Sequence, residues 1–101
     1  MEIRLSQDAE QDLVEIFDYI LEDNPSAAGK VLDAIYEEIL YLSEHPHLGK
    51  PGRVPKTREL VLSTAPFIVP YQVSGNTLEV LRVYHTARRW PEGFNQHGAN
   101  P

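Results

Sequence analysis

The sequence predicts an α+β fold, with an N-terminal helical hairpin packed on a small antiparallel β-sheet. Three observations predict it. Apolar residues recur at helical spacing over two stretches divided only by Asn24-Pro25. From Arg58 onward three short runs alternate apolar and polar residues, and Gly75-Asn76 separates the last two. The helices precede these strands instead of alternating with them, which argues for an α+β layer pair over a parallel α/β sheet. A chain of 101 residues with 42% hydrophobic and 24% charged content sits in the ordinary range for one globular domain. That domain is expected over residues 1–92, with 93–101, which show no periodic pattern, as a flexible tail.

Each element has its own local signal. Glu2 to Leu5 alternates and suits a short strand. Ser6 is a good helix N-cap, and Asp8 and Glu10 fall in the first turn, where the helix dipole favours acids. Ala9, Leu13, Ile16, Phe17 and Ile20 then trace one helical face. Asn24 is placed to cap a second helix that has Pro25 at its first position. Ala28, Val31, Leu32, Ile35, Ile39 and Leu42 form its apolar stripe. The helical acids Glu10, Asp12, Glu15, Asp18, Glu22, Asp33, Glu37 and Glu38 are expected to face solvent.

Residues 45–57, HPHLGKPGRVPKT, read as a long loop, and long ordered loops are often functional. His45 and His47 lack a third ligand nearby, so no metal site is expected. Arg58 to Ser63, Phe67 to Val73 and Leu78 to Tyr84 read as strands. Pro70 falls mid-strand, where it cannot donate to a ladder, and predicts an irregularity there. Alternation sorts Leu78, Val80, Arg82 and Tyr84 to one side, and Glu79, Leu81, Val83 and His85 to the other.

Composition excludes some function classes. No apolar run approaches the ~18 residues of a membrane span. The N-terminus lacks the pattern of a secretory signal, and there are no cysteines for a disulfide framework or thiolate site. A cytoplasmic protein is expected. The net charge of −6 is unevenly spread: residues 1–49 hold two basic residues against twelve acids, and residues 50–89 hold seven against two. An acidic half and a basic half suggest two faces with different partners.

The runs AEQDLVEIFDYILEDNP, HPHLGKPG, RELV, PFIVPYQV and LEVLRVYHTARRWP, in that order and spacing, resemble the RelE/ParE superfamily of bacterial toxins. The chain is most similar to ParE-like members, over residues 3 to 92. The resemblance implies the toxin of a type II toxin–antitoxin system, held inactive by a cognate protein antitoxin, with no cofactor. Two activities occur in that superfamily. RelE-like members cleave messenger RNA in the ribosomal A site, and ParE-like members act on DNA gyrase and block replication.

Metal-free RNA cleavage needs an acid, a base and cations around the phosphate. The candidates are His85, Glu59, Arg58, Arg82 and Arg88, with Glu59 otherwise expected as a strand residue facing solvent. The resemblance implies that a cleaving relative would carry cations where this chain has Glu59, Val61 and Ile68, and only Arg88 falls at an expected catalytic arginine. A protein-directed toxin needs a rigid contact patch instead. Arg82, Arg88, Arg89 and Trp90 are residue types that dominate interface hot spots, and Arg53, Lys50 and Lys56 on the long loop extend that set. Trp90 equally suits a lid over the core. The gyrase-directed reading is therefore the favoured one, with RNA cleavage on the ribosome and a non-toxic antitoxin-binding module as alternatives. On the antitoxin side the resemblance implies contacts at Leu13, Phe17, Tyr36, Arg58 and Tyr84.

Overall fold

The computed structural model describes residues 1–87. The elements run β1 (Glu2–Leu5), α1 (Gln7–Asp23), α2 (Pro25–Glu44), β2 (Lys50–Pro51), β3 (Arg58–Val61), β4 (Phe67–Ser74), β5 (Thr77–Val80) and β6 (Tyr84–His85). The two helices pack on a mixed sheet ordered β1-β5-β4-β3-β2, with β6 also on β4. The α+β class is as expected. The sheet is not purely antiparallel, because β1 lies parallel to β5. Tight turns force neighbouring strands antiparallel, but β1 is followed by the whole helical hairpin, which frees its direction.

Ser6 caps α1 by accepting from Ala9 N–H at 3.0 Å. Asn24 alone joins the helices. Its side chain accepts from Ser26 Oγ and makes no cap bond to the backbone of α2. The apolar stripes meet the sheet in one core, where Ala9, Leu13, Ile35, Ile39 and Leu42 pack against Leu62, Phe67, Val69, Tyr71, Leu78, Val80 and Val83. Phe17 departs from the expected stripe and is 36% exposed on its flank.

The β4–β5 hairpin turns at Gly75-Asn76, between the paired Ser74 and Thr77. Gly75 has φ +60, as the first central residue of a type II′ turn requires. Farther along, the ladder slips. Tyr71 pairs with Val80, yet Ile68 pairs with Tyr84, so Leu81, Arg82 and Val83 oppose only Val69 and Pro70. This is a bulge, one extra residue on one strand. Its cause lies in Pro70, whose carbonyl accepts from Leu81 N–H at 2.9 Å while its own nitrogen, on the same side, has no proton to return.

The bulge reverses the expected side-chain sorting. Leu78, Val80 and Val83 face the helices, while Leu81 and Tyr84 pack with Val54 in a second cluster. Helix α1 then satisfies the bulge's backbone. Ser6 Oγ donates to Leu81 O at 2.8 Å, and Asp12 Oδ2 accepts from Val83 N–H at 2.8 Å. Asp12, expected at the surface, is buried for this reason.

Candidate functional site

Two surfaces carry chemistry: the loop from residue 45 to 57, and the grooves beside α1. The loop is tied down at both ends. Tyr71 Oη donates to Pro46 O at 2.7 Å and accepts from Gly49 N–H at 3.0 Å. Burial pushes the Tyr71 hydroxyl's pKa up against the opposing effects of the Gly49 hydrogen bond and the Arg58 charge, so it stays neutral. Arg58 donates to Gly49 O at 2.6 Å. Gly49 is needed here, because a Cβ would lie 2.7 Å from the Tyr71 ring and hydroxyl.

Glu59 was expected as a solvent-facing strand residue or a catalytic base. It is 2% exposed, accepts from Arg53 N–H at 3.0 Å and lies 3.8 Å from the Arg53 guanidinium. It anchors the loop and is closed off from substrate. His85 is exposed, with Nδ1 accepting Ala87 N–H at 3.1 Å and its ring edge-on to Phe67. His85 pairs with Phe67 of the helix-facing row, whereas Glu59 pairs with Pro70 on the other face. The two are thus on opposite faces and about 10 Å apart along β4. The structure does not bring the proposed acid and base together. Val61 and Ile68 are cross-strand partners on the same face as Glu59. The three positions where a cleaving relative would carry cations are therefore neighbours, and here they hold two apolar side chains and a buried acid.

Arg82 also departs from the expected free contact charge. Its Nε and Nη2 reach the two Asp12 carboxylate oxygens at 2.7 and 3.0 Å, and the side chains are 13% and 11% exposed. Its guanidinium lies over the Tyr84 ring, 4.6 Å from the centroid. The hydrogen bond to Asp12 holds Arg82 still more firmly protonated, against the opposing effect of burial. Arg82 braces the bulge and has little surface to offer a partner. Arg88, Arg89 and Trp90, along with the tail 93–101, lie outside the described residues.

The residues expected to meet an antitoxin are only partly gathered. Phe17 and Tyr36 are exposed and share a shallow groove of about 340 Å³ with Leu5, Val14 and Leu32. Leu13 touches the groove but belongs to the core at 4% exposure. Tyr84 is buried, and Arg58 sits under the loop. Sequence reading missed a larger groove of about 760 Å³ between α1, α2 and β6, lined by Ile16, Tyr19, Ile20, Val31, Phe67 and His85 among others. Its one trace in the sequence is Tyr19, an aromatic residue outside the apolar face traced for α1, which the structure leaves exposed.

Comparison with known proteins agrees with this architecture. A family model described as "ParE toxin of type II toxin-antitoxin system, parDE" matches residues 3–90. The chain belongs to the ParE toxin family. Among its relatives is the "Putative toxin Y4kP" of Sinorhizobium fredii, 42% identical over 90 residues, covering 89% of this chain and 93% of that protein. A solved structure of the chromosomal ParDE TA system from P. aeruginosa is similar, with TM-score 0.77 and 30% identity over 84% of this chain and 95% of that one. The toxin–antitoxin complex RelBE2 from Mycobacterium tuberculosis shares the fold, with TM-score 0.56 and 22% identity over 83% and 95% of the two chains. Among the described residues of this ParE-family toxin, no helix is long and apolar enough to cross a membrane. No group of three or more metal-ligating side chains stands together among them either.

Proposed function

We propose that this toxin acts by binding a protein target, DNA gyrase, and that a cognate antitoxin neutralises it by covering the grooves beside α1. The observation that carries the first part is the face that holds Glu59, Val61 and Ile68. At those three positions a phosphorane-like charge would meet two apolar side chains and a carboxylate that already engages Arg53, in place of the cations transition-state stabilisation needs there. With His85 on the other face, it and Glu59 cannot flank a common substrate position as acid and base. Membership of the ParE family supports the gyrase reading over the ribosomal one.

For the antitoxin, the Phe17 and Tyr36 groove and the larger groove offer apolar surface of the kind that accepts an amphipathic helix or strand. Arg53 on the loop, with Arg88, Arg89 and Trp90, is assigned to the target side.

Expression without antitoxin tests the proposal. Growth arrest with relaxed plasmid DNA and intact transcripts is expected. Transcripts cut at ribosome-bound codons would overturn it in favour of RNA cleavage. An absence of arrest would leave a non-toxic antitoxin-binding module.

A further inference from the structure

The loop from Lys50 to Arg58 has features that anchoring alone does not explain. Lys56 has φ +69, and it is the sole positive-φ residue other than glycine among the described residues. It follows Pro55 in the turn closed by Thr57 N–H to Val54 O at 3.2 Å. That makes Lys56 the third residue of a type II turn, the position that favours glycine. A long cationic side chain sits where the backbone resists it, and backbone strain of this kind clusters at functional sites. Lys50 is exposed on the edge strand β2, and neither lysine has a carboxylate within ion-pair distance among the described residues. Arg53 adds a third side chain, 54% exposed.

The loop is also preorganised. Tyr71 holds its start, Glu59 holds the Arg53 amide, and Thr57 O accepts from Gly52 N–H at 2.8 Å. A rigid loop gives up little entropy on contact. Residues 46–58 contain no Phe, Tyr or Trp. Such a surface has no stacking platform for unpaired bases, and of its three cations only Arg53 is a residue type common in protein hot spots. It has what a duplex phosphate backbone requires, exposed cations on an anchored loop.

We infer that Lys50, Arg53 and Lys56 form a contact surface for the phosphate backbone of duplex DNA. This deepens the gyrase reading, and rests on it only for the source of that DNA, the duplex a gyrase target carries. The acidic helices keep the net charge at −6, so binding to free DNA is weak and strongly salt-dependent.

The test titrates a short labelled duplex with the full chain at several salt concentrations, for the parent and for Lys50→Ala/Lys56→Gly. Gly suits φ +69 better than Lys, so the variant should keep or raise its melting temperature. The parent should show a log–log salt slope of about three, and the variant about one, with equal weakening across unrelated sequences. An unchanged slope, no binding by the parent at low salt, or tighter binding to single strands, duplex RNA or polyglutamate would each overturn the inference. Growth arrest is read separately: a toxin that spares gyrase defeats the functional proposal and leaves the slope intact.

Discussion

Replacing Asp12 with alanine should be the most damaging single change near the bulge. The Asp12 carboxylate accepts three hydrogen bonds, from Arg82 Nε, Arg82 Nη2 and Val83 N–H, at 2.7, 3.0 and 2.8 Å. Both side chains of the ion pair are nearly excluded from water, at 11% and 13% exposure. Truncation leaves a guanidinium with no counter-charge and a buried amide with no acceptor. Breaking one side of a buried pair costs about 3–5 kcal/mol, and an orphaned amide about 1–3 kcal/mol. The two overlap, so we expect about 3–5 kcal/mol in all, a large share of the ~5–15 kcal/mol available to a domain. Urea unfolding followed by circular dichroism reads this as a lowered midpoint at unchanged slope. The control is a double-mutant cycle. Arg82→Ala in the Asp12→Ala background should cost far less than in the parent, because the charge it removes is already stranded. A loss below about 1 kcal/mol for Asp12→Ala, or strict additivity in the cycle, would refute the reasoning, because a stranded buried guanidinium should cost far more than that.

Other outcomes follow from the same contacts. Glu38 accepts from Ser63 and Thr64 backbone N–H groups and hydroxyls, and ties α2 to the β3–β4 turn. Burial pushes its pKa up, but those hydrogen bonds together hold it below the ordinary glutamate value. Its stabilisation is therefore full above that ordinary value and is lost as pH falls through the depressed one. Glu38→Gln should cost about 1–2 kcal/mol at neutral pH, and the gap to the parent in urea midpoints should close in acid. Gly49→Ala should destabilise by about 1–3 kcal/mol by thermal melting, because Tyr71 is fully buried and cannot yield to a Cβ 2.7 Å away. Replacing both Phe17 and Tyr36 with Ser should leave the melting temperature within a few degrees but weaken antitoxin capture at least about tenfold by calorimetry, since their exposed faces do not build the core.

How legible the protein was in its sequence depends on the range of the forces involved. The helices were readable from periodicity, and the Gly75-Asn76 hairpin from turn chemistry, because both are set by neighbours within a few residues. Pro70 announced an irregularity on the same local grounds. It did not announce a one-residue slip, so Tyr84 and Leu81 were assigned to opposite faces although the bulge places them together. The candidate site suffered most. Glu59 looked like a surface acid because acids usually are, and its burial follows from a loop folding over the outer face of the sheet.

The sequence by itself determined the two helices, the α+β class, the separation of acidic and basic halves, and the resemblance that family comparison then bore out. Tertiary structure alone decided which charges remain available to a partner. Arg82 is consumed by an aspartate seventy residues away, and a charge's availability depends on what folding brings beside it. Lys56 kept its exposure, at the cost of a backbone angle that only the folded turn reveals.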